Sequence, residues 1–273
     1  MASDGASTPQ SGDLSGRTAL VTGASRGIGA ATVRALRARG AEVVAISRDP
    51  FAAQPDPDPY VHRVSADVGD WTSIRAAVTA ILVDHPTIDV LVNNAGMPGM
   101  RAPVWDLDIE RFRTAAMVNT FGPFYLMKLI LPGMISRRGG TVVNVVSGAA
   151  QRPRPTRSMY GSQKAACEHM TIAAAAEVAD FGIRVHAFHP GQVDTALFAS
   201  SRSAAEVDEA RAQYAAGDEN GLQDPAEPAA ALAWLASPAG AAWTDVVLPW
   251  RDVSVRAALR ARPDFVAPNY MHT

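Results

Sequence analysis

The fold of this chain is decided in one stretch, Leu20-Val21-Thr22-Gly23-Ala24-Ser25-Arg26-Gly27-Ile28-Gly29. An apolar run typical of a strand leads into it at 18–22, and a helical pattern follows at 30–39. Strand, glycine-rich turn and helix in this order direct backbone N–H groups and the positive end of a helix at a phosphate. The spacing Gly-x-x-x-Gly-x-Gly differs from the usual dinucleotide fingerprint, so a purely structural turn is the alternative.

Strand and helix patterns alternate along the rest of the chain with short breaks. Strands are predicted at 43–47, 60–65, 88–92, 141–147 and 184–188, and helices at 71–83, 108–137 and 158–180, the second helix interrupted at Pro123 and Pro132. This alternation predicts one α/β domain, a doubly wound parallel sheet of about seven strands with helices on both faces. Ligands of such sheets bind beyond the carboxyl ends of the strands, where the motifs of this chain fall.

A second motif is the pair Tyr160 and Lys164 in Tyr-Gly-Ser-Gln-Lys. Lysine is rare here, with two lysines among 25 basic residues, so its position is informative. Residues i and i+4 share one face of a helix, and a cation held beside a phenol favours the phenolate. The pair therefore predicts a proton-transfer group, and an ordinary helix surface pair is the alternative.

These motifs occur in order with Asn93-Asn94-Ala95-Gly96, Asn119, Ser147 and Pro190-Gly191-Gln192-Val193-Asp194-Thr195. The chain thereby resembles the short-chain dehydrogenase/reductase family over 17–195, and the resemblance weakens after that. It implies four catalytic residues. Tyr160 would be the acid/base, Ser147 would hydrogen-bond the same substrate oxygen, and Lys164 would hold the nicotinamide ribose. Asn119 would anchor a water that connects Lys164 to solvent.

The resemblance also implies which residues contact the cofactor. They are Gly23, Ser25, Arg26, Gly27, Ile28, Gly29, Ser47, Arg48, Asp67, Val68, Asn94, Ala95, Gly96, Tyr160, Lys164, Pro190, Gly191, Val193 and Thr195, although Asn94 is better explained as a brace between strand ends than as a direct contact. An NAD site needs an acid at the end of the second strand, where this chain has Ser47 followed by Arg48. Arg48 and Arg26 together fit the 2′-phosphate of NADP(H), which is the expected cofactor. Asp49 would favour NAD if the strand ended one residue later.

The expected activity is hydride transfer between NADP(H) and a ketone or secondary alcohol of a small organic substrate. Two alternatives stay open, a non-catalytic NADP(H)-binding sensor or scaffold and a non-redox enzyme such as an epimerase. The complete catalytic set favours the enzyme, because a sensor does not need an acid/base group. The loop between Ser147 and Tyr160 carries Arg152, Arg154 and Arg157, which would bind a carboxylate or phosphate unless they are simply solvated.

Composition excludes several other classes. The net charge of −2 gives no field for nucleic acid or an anionic membrane. No apolar stretch spans a bilayer, and the single Cys167 cannot form an intrachain disulfide, so a cytoplasmic protein is expected. The histidines and this cysteine show no metal-ligand spacing, so no metal is expected, and His189 is interpreted as a core or loop residue.

The ends of the chain and one internal segment are predicted to lie outside the sheet. Residues 1–14 are polar and acidic and predict a disordered lead-in to a domain over 15–262. Residues 196–221, with a helical stretch at 204–214, predict a lid over the substrate. The tail 263–273 would dock on its own chain or on a neighbour. The resemblance implies a homo-oligomer, a tetramer or dimer, with the helices at 108–137 and 158–180 in its interface.

Overall fold

Seven parallel strands form one sheet in the part of the chain that the computed structural model describes, residues 13–48, 58–200, 207–209, 211–212 and 221–266. The strands are β1 Thr18–Thr22, β2 Glu42–Ser47, β3 Val61–Ser65, β4 Val90–Asn93, β5 Gly140–Val145, β6 Ile183–Phe188 and β7 Val247–Leu248. Their order in the sheet is β3-β2-β1-β4-β5-β6-β7. The winding direction reverses between β1 and β4, which makes this the doubly wound sheet that the sequence predicts.

Helices cover both faces of the sheet. They are α1 Gly27–Ala38, α2 Trp71–Asp84, α3 Ile109–Ala116, α4 Gly122–Arg137, α5 Ser158–Val178, α6 Ala196–Ala199, α7 Ala226–Ala236 and α8 Val253–Arg260. Alternate residues of each strand point to opposite faces, so Val21 packs with α1 and α7 while Leu20 packs with α2 and α4. Burial on both faces explains why the strands inside the sheet are mostly apolar, whereas the edge strand β3 is partly exposed and more polar.

Local signals set where several helices begin. Asp70 accepts the N–H of Thr72 at 3.0 Å in front of α2, and Asp108 accepts the N–H of Arg111 at 2.7 Å in front of α3. Each carboxylate satisfies a backbone donor that the first turn of the helix leaves without a partner. These two acids explain why the predicted starts of both helices agree with the structure to within one residue.

The predicted breaks at Pro123 and Pro132 are wrong. A π-helical turn at Met117–Phe121 separates α3 from α4, and Pro123 lies just after it, in the first turn of α4. Pro132 lies inside α4, which continues past it to Arg137. The α-helical pattern at 108–137 is therefore interrupted at the π-helical turn, and α4 contains both prolines.

The predicted ends of the domain need revision. Leu14, assigned to the lead-in, is buried, and its N–H donates to Arg39 O at 2.9 Å. Phe265, assigned to the tail, is buried and stacks on Trp250 at 5.8 Å between ring centroids, so this part of the tail docks on its own chain. Asp49, positions 201–206, 210 and 213–220 of the expected lid, and 267–273 of the tail lie outside the described residues.

Candidate active site

The glycine-rich turn after β1 packs directly against the loop after β4. Gly23 has φ +64° and Gly27 has φ +55°, values that side chains disfavour, and a Cβ on Gly23 would lie 2.8 Å from Ala95 Cα. A Cβ on Gly29 would lie 2.1 Å from Gly23 O. Asn94 fixes this contact by donating from Nδ2 to Thr22 O at 2.9 Å, so its side chain is the brace that the sequence allowed. The turn leaves a shallow surface of backbone at the N-terminus of α1, which fits a pyrophosphate.

The ends of β2 and β3 form the next part of the site. Ser47 Oγ donates to Ser25 Oγ at 2.9 Å and thereby joins β2 to the glycine-rich turn. Arg48 lies 3.8 Å from the carboxylate of Asp67, and their side chains are 55% and 41% exposed. Such an exposed pair is weak, so the Arg48 guanidinium is available to an incoming anion. Arg26, exposed on the turn, lines the same cavity as Arg48.

Ser147, Tyr160 and Lys164 come together where β5 ends and α5 begins. Lys164 is 3% exposed, and its Nζ donates to Val145 O at 2.8 Å and lies 5.9 Å from the centre of the Tyr160 ring. Ser147 follows β5, and its Oγ accepts the N–H of Ala149 at 3.2 Å. A Cβ on Gly99 would lie 2.8 Å from Tyr160 Cβ, so the loop after β4 holds the tyrosine in place.

Asn119 is buried in the π-helical turn and does not line the cavity. Its Oδ1 accepts the N–H of Met97 at 2.9 Å, and its Nδ2 donates to Met97 O at 2.9 Å and to Gln163 Oε1 at 2.8 Å. The side chain therefore ties the loop after β4 to α5. A water held for Lys164 would have to bind the backbone of Asn119, because the amide group is already engaged.

One cavity of about 1210 Å³ runs along the carboxyl ends of the strands and joins these parts. Every predicted cofactor contact lines it except Gly29, whose role is to let α1 approach the turn. Ser147, Tyr160 and Lys164 line it as well. The cavity is large enough for a nicotinamide dinucleotide. Its backbone turn fits the pyrophosphate of that cofactor, and its arginines fit a 2′-phosphate.

A buried polar network below Ser147 was not predicted from the sequence. His189 is fully buried, and its Nε2 lies 3.0 Å from Glu168 Oε2. Burial lowers the pKa of His189, and the nearby Arg251 lowers it further, although the Glu168 carboxylate acts in the opposite direction. The imidazole is therefore neutral at neutral pH. This agrees with the interpretation of His189 as a core residue, but no sequence pattern indicates its partner Glu168 on α5.

Another set of residues could hold a metal ion at the opposite edge of the sheet. Donor atoms of Glu42, His62 and His85 lie within 4.8 Å of one another, and Glu42 Oε1 is 2.7 Å from His62 Nε2. Glu42 begins β2, so this set lies at the amino ends of the strands, away from the cavity. Histidines that are scattered in sequence thus converge in space.

The helices in the described part of the chain were also compared with the length and hydropathy of a membrane span. None of them combines the length and the apolar character that a span requires.

Tyr160 and Lys164 lie at the carboxyl ends of the strands, close to the point where the strand order reverses. The glycine-rich turn that fits a pyrophosphate lies beside them. This combination indicates a nicotinamide-dependent oxidoreductase. Residues 17–206 match the family model described as short chain dehydrogenase. The chain belongs to this family, as its sequence motifs indicate.

Individual relatives agree with this assignment. L-xylulose reductase of Mesocricetus auratus is 38% identical over 191 residues, which cover 67% of this chain and 75% of the relative. Cis-4-hydroxycyclohexanecarboxylate dehydrogenase of Sinomonas cyclohexanicum is 37% identical over 229 residues, 82% of this chain and 90% of the relative. A gluconate 5-dehydrogenase from Burkholderia cenocepacia J2315, solved in complex with NADP and tartrate, superposes with a TM-score of 0.75 at 28% identity, covering 86% of this chain and 92% of that one. The protein is accordingly an oxidoreductase of this family.

Proposed function

We propose that Tyr160, Ser147 and Lys164 carry out NADP(H)-dependent reduction of a ketone, or oxidation of the corresponding secondary alcohol, in the cavity at the carboxyl ends of the strands. The observation that carries this proposal is the convergence of these three side chains on one cavity with the glycine-rich turn. Bound nicotinamide supplies or accepts the hydride.

The protein residues handle the proton and the substrate oxygen. Tyr160 gives its phenolic proton to the oxygen of the ketone, or takes a proton from the alcohol. Ser147 donates to the same oxygen and fixes its direction, a task for which a hydroxyl is suited. Lys164 donates to Val145 O at 2.8 Å, and this bond holds the ammonium beside the tyrosine.

The cofactor preference rests on the end of β2. Ser47 and Arg48 stand where an NAD enzyme needs a carboxylate, and Arg26 lines the same cavity. Guanidinium groups bind phosphate oxygens through paired donors, which supports NADP(H) over NAD(H). The NADP in the related gluconate 5-dehydrogenase agrees with this choice.

The names of the relatives leave two kinds of substrate open. One acts on a neutral sugar, L-xylulose, and another on a hydroxycyclohexanecarboxylate. Both are small molecules with a secondary alcohol or ketone, which supports the proposed substrate class for this chain. Cytoplasmic localisation stays a prediction.

A homo-oligomer is also proposed, with α4 and α5 in the interface. Phe121 and Phe124 at the start of α4 are 44% and 43% exposed, and Ile172 on α5 is 44% exposed. Large apolar side chains left on two neighbouring helices favour a contact with a second copy of the chain.

The test is Tyr160→Phe, assayed with NADPH against a panel of ketones. We expect kcat to fall by about 10²–10⁴-fold while the dissociation constant of NADPH changes by no more than a few-fold, because only the transferable proton is lost. Lys164→Ala should impair both binding and turnover. Tyr125→Phe, on α4 and outside the cavity lining, is the matched control.

Two outcomes would contradict the proposal in different ways. Wild-type rates in Tyr160→Phe would show that another group transfers the proton. NADPH binding by the wild-type protein without turnover of any ketone or alcohol would favour the sensor or scaffold instead.

A further inference from the structure

We propose that the substrate end of the cavity is an oxyanion site and that Arg251 is its central residue. The substrate would then be a hydroxy or keto compound that carries a carboxylate or a phosphate ester. The proposal rests on the proposed function, because it concerns the substrate of the same site. It adds a residue beyond the last stretch that resembles the family.

The first observation is a one-sided charge distribution around Ser147 and Tyr160. The cavity is lined by Arg152 and Arg154 from the loop between these two residues, and by Arg251 from the segment after β7. The acids Asp194 and Asp252 line the cavity as well, of which Asp194 is paired with another arginine and Asp252 faces Arg251. Asp194 binds Arg211 through two contacts of 2.8 and 2.9 Å, and Asp252 caps α8 by accepting the N–H of Ser254 at 2.9 Å. The lining therefore has a surplus of positive charge that an anion would neutralise.

The second observation is that Arg251 lies next to the catalytic serine. A Cβ placed on Gly148, the residue after Ser147, would lie 3.3 Å from Arg251 Cδ and 3.7 Å from its Nη1. The guanidinium therefore lies over Gly148, one residue from Ser147. An oxyanion bound there would belong to the same small molecule as the oxygen held by Ser147.

The third observation is that a hydrogen-bond network fixes the position of this arginine, running through the exposed Gln151 to the buried Glu168 and His189. Arg251 Nη2 donates to Gln151 Oε1 at 2.9 Å, and Gln151 Nε2 donates to Glu168 Oε1 at 2.7 Å. Glu168 also contacts the buried His189, as described above. The backbone N–H of Arg251 donates to His189 O at 3.0 Å. Arg251 is thus held through both its backbone and its side chain.

Gln151 acts as a positioning residue in this network. One end of its amide faces a carboxylate, which requires the NH₂ group, and the other end faces a guanidinium, which requires the oxygen. The orientation of the amide is therefore fully determined. A merely solvated arginine would need no such support, since ordering a long side chain has an entropic cost.

The fourth observation is a donor that lacks an acceptor. Arg251 Nε is buried, and within the described part of the chain it has no hydrogen-bond partner. An unsatisfied buried donor is unfavourable, and a donor of a cation is more so. An oxyanion that reached this nitrogen would supply the missing acceptor. Guanidinium groups bind carboxylates and phosphates through such adjacent donors.

The kinetic test compares keto acids with their methyl esters in the NADPH-loaded enzyme, using pyruvate, acetoacetate and levulinate, and dihydroxyacetone phosphate with dihydroxyacetone for the phosphate arm. The ratio of kcat/KM for the charged compound to that for the neutral one should fall by about 10- to 100-fold in Arg251→Met, as expected for lost hydrogen bonds to a charged group. Arg251→Lys should fall less. The double variant Arg152→Ala with Arg154→Ala, both exposed, should show a smaller fall than Arg251→Met.

Gln151→Leu tests the positioning role. It should lower the same ratio mainly through the KM of the acid, since the charge of Arg251 remains and only its placement is lost. The matched control is Arg75→Met, an exposed arginine of α2 outside the cavity lining. An unchanged ratio in Arg251→Met, or an equal fall in Arg75→Met, would overturn the proposal.

A binding measurement separates this proposal from the proposed function. Calorimetric titration of the NADP⁺-loaded protein with succinate, inorganic phosphate and succinamide needs no turnover. We expect succinate or phosphate to bind and succinamide not to, with the anion affinity lost in Arg251→Met. Anion binding without turnover would sink the redox proposal and keep the oxyanion site. Turnover of neutral ketones with no anion binding would overturn the oxyanion site and keep the redox proposal.

Discussion

Replacing Arg48 by alanine tests most directly how the cofactor is recognised. Arg48 follows β2, and its guanidinium is 3.8 Å from the Asp67 carboxylate in a pair whose side chains are 55% and 41% exposed. In the proposed complex it binds the 2′-phosphate that distinguishes NADP(H) from NAD(H). The substitution removes this contact and leaves the backbone turn for the pyrophosphate unchanged.

The magnitude follows from two opposing contributions. A hydrogen bond to a charged group is worth about 1.5–3 kcal/mol. Releasing Arg48 from its exposed pair with Asp67 costs at most about 1 kcal/mol, because such pairs are screened by water. The net loss in Arg48→Ala is therefore about 2 kcal/mol, or roughly a 30-fold rise in the dissociation constant of NADPH. NADH lacks the phosphate and should be nearly unaffected.

Fluorescence titrations of wild type and Arg48→Ala with both cofactors provide the measurement. The matched control is Arg75→Ala, which removes an exposed arginine on α2 outside the cavity lining. A wild-type preference for NADH would refute the assignment of the cofactor. Equal rises in the dissociation constants of NADH and NADPH would refute the specific contact with the phosphate.

Three further predictions concern the acid/base, the pH dependence of stability and the assembly. Gly99→Ala would place a methyl carbon 2.8 Å from Tyr160 Cβ, so the tyrosine must move. We expect kcat to fall by roughly tenfold without loss of cofactor affinity, and an unchanged kcat would contradict this. Burial lowers the pKa of His186 and of His189, so the unfolded chain binds more protons than the native one. The two histidines therefore contribute fully to the free energy of unfolding above the ordinary histidine pKa of about 6.5, and this contribution is lost as the pH falls below it. In urea unfolding, the free energy of unfolding should differ less between pH 7 and pH 5 in His186→Asn than in wild type. Sedimentation should give a mass that is a multiple of the 28.8 kDa chain mass, and Phe124→Ser should lower this mass. A stable wild-type monomer at micromolar concentration would exclude the proposed interface.

As far as β6 the sequence predicted the elements well and their interruptions poorly, whereas β7, α7 and α8 were not predicted. Strand positions agree with the structure to within one or two residues, because continuous apolar runs of this length are buried on both faces of a parallel sheet. The division of the pattern at 108–137 was assigned to two prolines, but it lies at the π-helical turn around Asn119. That turn is held by hydrogen bonds to Met97, 22 residues away in sequence, and these bonds leave no periodic signal.

In the candidate site, too, some features could be predicted from the sequence and others could not. The glycine-rich turn and the pair of Tyr160 and Lys164 could be read from the sequence, because positive φ angles and the spacing of a helix are properties of short segments. The arrangement of Arg251, Gln151, Glu168 and His189 could not. These residues lie on four segments up to 100 positions apart, and they meet only when α5 and the residues following β5, β6 and β7 have assembled. The sequence alone thus determined the glycine-rich turn and the placement of Lys164 beside Tyr160, whose geometry is local. Only the tertiary structure decided which charged groups face the substrate, because contacts between distant segments depend on the packing of the whole sheet.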